Sequence, residues 1–385
     1  MRIKWHIPVL FILVLSVYSC EEEPGNHDWD DHNPHDSIAC NLRNIRKVFS
    51  FVPQNRYAYC PSVIEEGDLQ HVFFCGNPRE NRFVDNIYYM TIDREGQTSE
   101  PKSVLQPTDV EDFWDDQHNC DPSVVRGNFV YKGVSYNYAM FFLGSNRDFY
   151  YNEIGVAFAD RLDADSWDKY DTVFLAKPWS YAGDMQINDH KAWGIGQPDA
   201  ITIKPENGDV LLTYTRGDNE GTRVVYRIIS GMKKVENMVI GPERSIPVQG
   251  IYQYNTTAGD YLSNVSIALD KFNDQFVIIR QMSPLSVLYP TFIHSYLEVT
   301  RIGSIDFYTG TGSWEPVVQI TPEDTGYPRN HNPGLVRDEY GNTVCAADTM
   351  EVYYTTSLEE PDVAYSSGRY AEWSYTIWGA RLNTE

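Results

Sequence analysis

The amino-acid sequence predicts an all-β protein, a five-bladed β-propeller with four-stranded antiparallel blades. Helical periodicity is scarce after residue 45, whereas short runs rich in Val, Ile, Tyr and Phe alternate with clusters of Gly, Asp, Asn and Pro. One strand–turn–strand phrase recurs five times, at a spacing that leaves room for about four strands per repeat. A chain of 385 residues with 42% apolar residues can bury a core of this size.

The recurring phrase begins with "CPSVI", "DPSVV", "QPDAI", "NVSIA" and "NPGLV". In a propeller the innermost strand of each blade starts at one face of the central channel, so the five leading residues should converge in one funnel. A proline at the next position fixes φ and suits the first residue of a strand. The leading residues are separated by 61, 76, 67 and 68 positions, and they are Cys60, Asp121, Gln197, Asn264 and Asn332.

The fifth repeat supplies three strands before the sequence reaches Glu385. The run "IRKVFSFVP", residues 45 to 53, has the length of a strand and precedes the first repeat. A missing strand between the first and last blades would expose backbone donors and acceptors. We therefore expect this N-terminal strand to close the last blade, and residues 45–385 to form the propeller.

The N-terminal residues 1–19 have the pattern of an export signal, because the basic "MRIK" precedes the apolar "IPVLFILVLSVYSC". The segment ending at Cys20 resembles a bacterial lipobox, which implies acylation of that cysteine. The "EEE" that follows is similar to the surface-export signal of Bacteroidetes lipoproteins, although it could also be an ordinary solvated tether. Residues 20–44 then form a flexible acidic stalk. We expect an outer-membrane lipoprotein, exposed at the cell surface, that contacts the membrane only through its lipid.

Charge and cysteine content narrow the class of partner. The formal net charge is -23 at pH 7, which makes nucleic acid and anionic membrane surfaces unfavourable partners. With Cys20 assigned to the lipid, an odd number of cysteines is left, so at least one should be unpaired. Their spacing does not indicate a zinc site, and the cysteines concerned are Cys40, Cys60, Cys75, Cys120 and Cys345.

Loops expected at the funnel face are rich in Trp, Tyr, Asp and His, as in "PTDVEDFWDDQHN" and "AKPWSYAGDMQINDHKAWGIG". Aromatic platforms beside carboxylates and amides suit a sugar, which offers apolar CH faces and hydroxyl groups. The alternative is structural, since the tryptophans could pack under their loops and a histidine such as His118 could be fully hydrogen-bonded. The predicted substrate-binding residues are Trp114, Asp116, His118, Trp179, Trp193, Gln197, His331 and Asn332.

The five repeats, with "DPSVV" in the second and "HNPGLV" in the fifth, resemble the five-bladed propellers of glycoside hydrolase family 43 over nearly all of residues 45 to 383. The resemblance implies an Asp base in blade one, an Asp that tunes a pKa in blade two, and a Glu acid in blade three. Asp121 matches the blade-two Asp, whereas Cys60 occupies the base position and Gly196 the acid position. His331 matches a histidine that in many family members holds an axial calcium, so that metal is possible here although no cofactor is required.

Two functions follow from this comparison of motifs. The first is a lipoprotein that binds oligo- or polysaccharide in the funnel without the usual base and acid, because neither Cys60 nor Gly196 can replace the carboxyl groups. The second is an active family 43-type glycoside hydrolase with relocated carboxylates around Asp121, for which Glu153 and Asp199 are the candidates. The structural alternative for Asp121 is a residue that only caps turn amides at a strand entry.

Overall fold

The computed structural model describes residues 42–51, 56–80, 84–146, 151–177, 193–287, 292–344, 349–358 and 374–383. Within them the strands fall into five consecutive antiparallel groups, which we call units 1 to 5. Unit 1 contains β2 (Ala58–Glu66), β3 (Leu69–Gly76), β4 (Asn86–Ile92) and β5 (Lys102–Leu105). Unit 2 contains β6 (His118–Tyr131), β7 (Val134–Ser145), β8 (Asn152–Ala159) and β9 (Asp168–Lys169).

The remaining units follow the same pattern. Unit 3 contains β10 (Gly194–Lys204), β11 (Asp209–Asp218), β12 (Gly221–Ser230), β13 (Val239–Ile240) and β14 (Arg244–Ser245). Unit 4 contains β15 (Ser266–Asp270), β16 (Gln275–Leu285), β17 (His294–Gly303) and β18 (Glu315–Ile320). Unit 5 contains β19 (Arg329–Arg337), β20 (Thr349–Ser357), β21 (Thr376–Asn383) and the N-terminal β1 (Leu42–Phe49).

Helices are short in the described part of the chain. They are α1 (Ser304–Thr309), α2 (Pro322–Thr325) and the 3-10 helices Pro205–Asn207 and Met232–Asn237. The predicted all-β class is therefore confirmed. None of the helices described here has both the length and the apolar character needed to cross a bilayer.

The N-terminal strand β1 pairs antiparallel with β21, from Leu42 opposite Leu382 to Phe49 opposite Ile377. This is the edge for which residues 45 to 53 were expected, and the strand begins three residues earlier than predicted, at Leu42 instead of residue 45. Its partly buried apolar side chains pack against the cores on both sides of unit 5. The last unit is thus completed by the beginning of the described chain.

Alternate side chains on each second strand of a unit face opposite neighbouring units, as the period of two in a β-strand requires. On β11, Leu212 packs in a cluster with unit 2, whereas Leu211 packs in a cluster with unit 4. On β20, Val352 faces unit 4 and Tyr353 faces unit 1. Each unit therefore shares a hydrophobic core with the units on both sides, and the units form a closed ring.

The five leading residues of the repeated phrase share one unusual backbone conformation. Each has a positive φ, which L-residues other than Asn and Asp rarely adopt, and which is disfavoured before proline. In the four units where proline follows, the residue pair coincides with a break in the register between the first and second strands. The innermost strand bends there and turns its first residues toward the ring centre. The φ values are 54° for Cys60, 48° for Asp121, 51° for Gln197, 45° for Asn264 and 46° for Asn332.

Candidate functional site

A cavity of about 990 Å³ lies where the inner strands begin. Of the five leading residues, Asp121, Gln197, Asn264 and Asn332 line it, whereas Cys60 lines a much smaller void of about 30 Å³ in the central channel. The predicted convergence of the repeats therefore produces the floor of a site large enough for an oligosaccharide segment. Aromatic side chains that line the cavity are Tyr57, Tyr59, Trp193, Tyr261, Phe292 and Tyr375.

Three tyrosines form one wall of the cavity. The ring centroids of Tyr57 and Tyr59 are 5.7 Å apart, and those of Tyr59 and Tyr375 are 5.6 Å apart. Both pairs meet edge to face, which is a favoured arrangement of aromatic rings. This wall offers flat apolar surface whose edges carry hydroxyl groups.

Asp121 is partly exposed at the cavity floor. Its Oδ1 accepts a hydrogen bond from the Cys60 thiol at 2.6 Å, and its carboxyl group accepts another from the backbone N–H of Gln197. Burial raises the pKa of Asp121 to about 6, and the charge of nearby Asp85 acts in the same direction. A carboxyl group that faces a cavity and bonds to a thiol differs from one that only caps turn amides.

A chain of hydrogen bonds runs from unit 5 to Asp121. Ser357 Oγ lies 3.1 Å from His331 Nε2, and His331 Nδ1 lies 2.5 Å from Asn332 Oδ1. Asn332 Nδ2 donates to Cys60 Sγ at 2.9 Å. Burial lowers the pKa of His331 to about 3, so its neutral ring donates from Nδ1 and accepts from Ser357. The chain fixes the direction of the thiol that holds Asp121.

The Cys60 thiol lies beside a disulfide between Cys75 on β3 and Cys120 on β6. This bond joins units 1 and 2 at the cavity floor, because Cys120 also lines the cavity. Cys60 is the free cysteine among the described residues. Burial, followed by the charge of Asp121, raises the pKa of the Cys60 thiol well above its usual range, so it carries its proton at neutral pH.

A second carboxylate at the cavity, Asp85, was missed by the sequence analysis. Tyr57 donates to its Oδ1 at 2.6 Å and Tyr59 donates to its Oδ2 at 3.1 Å. His118 Nδ1 lies 2.8 Å from the same Oδ2. The predicted residue His118 therefore lines the cavity with its ring held by a buried carboxylate. The available signal was an acidic residue just before the third strand of unit 1, in "VDNIYYM".

Trp193 lines the cavity and lies close to two glycines, Gly196 and Gly217. A Cβ atom on Gly196 would lie 2.4 Å from Leu143 Cδ1 and 3.4 Å from the Trp193 ring. A Cβ on Gly217 of the neighbouring strand would lie 2.2 Å from Trp193 Nε1. Leu143 thus occupies the space that a side chain at position 196 would need, and the Trp193 indole occupies the space at position 217.

Three of the predicted binding residues are placed outside the cavity lining, namely Trp114, Asp116 and the fully buried His331. Trp114 stacks on Phe142 at a centroid distance of 5.8 Å and covers Gly144 and Gly155. Asp116 is half-buried in a turn, where its Oδ2 accepts from the backbone N–H of Asp112. Trp114 therefore packs against the sheet, as the structural alternative predicted, because Gly144 and Gly155 leave space for its ring.

The two carboxylates proposed as relocated catalytic groups also lie elsewhere. Successive side chains of a β-strand point to opposite sides, so Glu153 on β8 points away from the cavity that its neighbour Asn152 lines. Glu153 forms an ion pair with Lys177 at 3.3 Å. Asp199 lies in the central channel, paired with Arg337 at 2.6 Å. Among the residues that the structure describes, the carboxylates that line the cavity are instead Asp85, Asp121 and Glu220.

Asp199 has every side-chain oxygen occupied. Its Oδ1 accepts from Ser123 Oγ of unit 2 at 2.6 Å, and its Oδ2 accepts from the backbone N–H of Ile267 of unit 4 at 2.8 Å. Asp199 of unit 3 also pairs with Arg337 of unit 5, so its contacts connect units 2, 3, 4 and 5. Asp199 thus holds the inner strands together below the cavity.

The surroundings of His331 do not fit calcium, a cation that takes six to eight oxygen ligands. The residue is fully buried, and the ring of Tyr375 lies 4.8 Å away on the cavity side. Both ring nitrogens have side-chain partners, and those described contacts include no carboxylate. The predicted site residues Trp179 and Cys20 lie outside the described residues.

Comparisons with known proteins give similarity at the level of the fold. No protein-family model matches the chain, and no curated protein sequence matches it. A solved structure of a glycoside hydrolase is 13% identical with a TM-score of 0.54, covering 87% of this protein and 90% of that one. Zg3597, a family 117 glycoside hydrolase from Zobellia galactanivorans, is 11% identical with a TM-score of 0.54, and the match covers 90% of each protein.

A third solved structure comes from a fungus. The α-L-arabinofuranosidase PaAbf62A from Podospora anserina, in complex with cellotriose, is 9% identical with a TM-score of 0.53. The match covers 89% of this protein and 96% of that one. These similarities extend over nearly the whole of each partner, so this chain has the overall fold of propeller glycoside hydrolases.

Proposed function

We propose that this protein binds an oligo- or polysaccharide in the cavity above Asp121, and that hydrolysis of the family 43 type is absent or severely slowed. The observation that carries the proposal is the composition of the cavity. A wall of Tyr57, Tyr59 and Tyr375 lies beside a floor that includes Asp121 and Asn332. Flat rings can stack on the CH faces of a sugar, and the floor can hydrogen-bond to its hydroxyl groups.

The size and polarity of the cavity favour a carbohydrate over other ligands. A volume of about 990 Å³ is at the upper end of the usual range of ligand pockets and can hold an oligosaccharide segment. Carboxylates of Asp85, Asp121 and Glu220 line it, which disfavours sulfated or uronate-rich chains. The fold neighbours include an α-L-arabinofuranosidase crystallised with cellotriose, so neutral plant-type polysaccharides are the first candidates.

Slow hydrolysis is expected because the two positions that would transfer protons lack suitable groups. Inverting hydrolysis uses one carboxyl group as acid and another as base. Cys60 stands at the base position, buried and protonated, and its hydrogen goes to Asp121. Gly196 stands at the acid position, where Leu143 and Trp193 occupy the space of a side chain.

One observation favours the alternative of an active glycoside hydrolase with relocated carboxylates. Asp85 and Glu220 line the same cavity as Asp121, so more than one carboxylate can reach a bound sugar. Asp85 is held by Tyr57, Tyr59 and His118, whereas the Glu220 side chain is 82% exposed at the cavity rim. A pair drawn from these residues would replace the expected Glu153 and Asp199.

The proposed location is the outer surface of an outer membrane, with acylated Cys20 as the anchor and residues 20–44 as the stalk. The disulfide between Cys75 and Cys120 supports export, because such bonds persist in oxidising compartments. Binding in this proposal needs no cofactor.

The test is a screen of purified protein against arabinan, xylan, galactan and host-type oligosaccharides that records both retention and reducing-end release. We expect retention without release, weakened at least tenfold by Tyr59→Ala or Trp193→Ala. The matched control is Trp114→Phe, which alters an aromatic residue outside the cavity and should leave retention unchanged. Rapid release abolished by Asp121→Ala or Asp85→Ala would establish the hydrolase alternative. Absence of retention across the panel, with a folded protein, would contradict the proposal.

A further inference from the structure

We propose that Cys60, Cys75, Cys120 and Asp121 form a tetrahedral site for a Zn²⁺-like divalent cation when the Cys75–Cys120 disulfide is reduced. One ligand atom from each of these four residues lies within 4.8 Å of the others, and all four residues lie at the junction of units 1 and 2. The cluster shares Asp121 with the cavity floor, whereas Cys60 and Cys75 do not line the cavity.

The geometry is close to what zinc requires. Zinc binds thiolate at about 2.3 Å, which places the ligand atoms of a tetrahedral site about 3.8 Å apart. The four ligand atoms span at most 4.8 Å, so small side-chain rotations would complete the arrangement. Cys60 on β2 and Cys75 on β3 are held near each other by the pairing of these two strands, and Cys120 lies on β6, the inner strand of unit 2.

Polar groups surround the sulfur atoms as they do around metal-bound thiolates. Asn332 Nδ2 donates to Cys60 Sγ at 2.9 Å, and the backbone N–H of Asp121 donates to Cys75 Sγ at 2.9 Å. The Tyr59 hydroxyl lies 3.0 Å from Cys120 Sγ. The sulfurs of Cys60 and Cys75 therefore each accept from a neighbouring donor, whereas the Tyr59 hydroxyl donates to Asp85. Such donors orient thiolate ligands and stabilise their charged form in metal sites.

Charge and access are compatible with a cation. Three thiolates with one carboxylate carry the same charge as a four-cysteine zinc site, and a divalent cation would offset part of that charge. Cys120 and Asp121 line the large cavity, which provides a path from solvent.

The disulfide and the metal are alternative states of the same atoms. A dithiol reductant supplies two electrons and two protons, which break the S–S bond, give two thiols and leave the reductant as a cyclic disulfide. Binding of the cation then displaces the protons of Cys60, Cys75 and Cys120 to solvent. Reoxidation of Cys75 and Cys120 would expel the metal.

The experiment uses the full chain with Cys20→Ser, Cys40→Ser and Cys345→Ser, so that Cys60, Cys75 and Cys120 are the only thiols. The protein is reduced with dithiothreitol, freed of reductant under anaerobic conditions, and titrated with Zn²⁺ or Co²⁺. We expect one equivalent of metal, with the thiolate-to-cobalt charge-transfer bands and ligand-field bands of a tetrahedral site. The oxidised protein should bind at least a hundredfold more weakly.

Variants separate this site from adventitious binding. Cys60→Ser should remove the part of the charge-transfer signal that comes from the Cys60 sulfur, and should weaken metal binding at least tenfold. Asp121→Asn should weaken metal binding but leave the thiolate-to-cobalt bands in place. Asp116→Asn, which alters a carboxylate outside the cluster, should have no effect. Circular dichroism of each reduced variant monitors folding. Three results would overturn the proposal. They are that the reduced protein binds no metal, that Cys60→Ser binds metal as tightly as the reduced parent protein, or that reduction unfolds the protein and Zn²⁺ does not restore the fold.

Discussion

The Cys60 thiol donates a hydrogen bond to Asp121 Oδ1 at 2.6 Å, across the boundary between units 1 and 2. The sequence resemblance to family 43 would match Cys60 with the base of that family and Asp121 with its pKa-tuning Asp. A thiol that keeps its proton and donates it in a hydrogen bond to a carboxylate is not available to accept a proton from water. This pair therefore stabilises the cavity floor and does not form an acid–base couple of the family 43 type.

Replacing Asp121 with Asn should change how stability depends on pH. The pKa of Asp121 is raised in the folded protein to about 6, so between about pH 4 and 6 the folded chain binds more protons than the unfolded chain. Its contribution to stability is then present at low pH and falls as pH rises through this window. The rise in the pKa of Asp121 corresponds to about 3 kcal/mol in the free energy of unfolding. Partial exposure of the side chain reduces the expected effect to about 1–3 kcal/mol.

The measurement is urea unfolding of wild type and Asp121→Asn at several pH values from 4 to 7. The free energy of unfolding of Asp121→Asn should rise relative to wild type as pH increases. His294 and His331, whose pKa values burial lowers to about 4 and about 3, titrate in the opposite sense, and the comparison cancels their effect. A difference that is constant with pH would contradict the raised pKa.

Asp199→Asn should destabilise the protein by about 3–5 kcal/mol, because it leaves the buried Arg337 without its charge partner. The matched control is Asp165→Asn, whose ion pair with Lys102 is exposed to solvent and should contribute little to stability. Thermal and urea unfolding measure both variants. Folded Asp199→Asn should keep wild-type carbohydrate retention, and selective loss of retention at unchanged stability would instead place Asp199 in the site.

Gly196→Ala should cost about 1–3 kcal/mol by overpacking, because the new Cβ would lie 2.4 Å from Leu143 Cδ1. Gly259→Ala is the control, since no atom lies within 4 Å of the corresponding Cβ position. For the same reason Gly196→Glu should not restore a general acid, and an assay for reducing-end release tests this directly. Efficient hydrolysis by a stable Gly196→Glu protein would show that the space is available.

Removal of residues 1–49 should destabilise the protein, because it exposes the edge of β21 and deletes the partly buried apolar side chains of β1. Apolar side chains of β1 pack against both neighbouring cores, and each contributes about 1.5–3 kcal/mol when fully buried. An exposed strand edge also promotes aggregation. Size-exclusion chromatography and thermal unfolding should show both effects, whereas removal of residues 1–40 leaves β1 intact and should change neither.

The sequence by itself determined the all-β class, the five repeated units, the closing role of the N-terminal strand and the position of Asp121 at the ring centre. These features depend on alternation, turn residues and repeat spacing, all of which are local or periodic along the chain. The backbone bend at four of the five leading residues also left a local signal, the proline that follows the leading residue. Periodic information is sufficient here because each unit repeats the same geometry around one channel.

Only the tertiary structure decided which side chains meet. Asp85 joins Tyr57, Tyr59 and His118, although sequence spacing alone does not bring these residues together. Asp199 pairs with Arg337, 138 positions later in the chain, and so serves the channel instead of the cavity. Trp114 lies in a slot opened by two distant glycines. Contacts between units depend on the closure of the ring, and the local pattern of a strand carries no information about its partner across that ring.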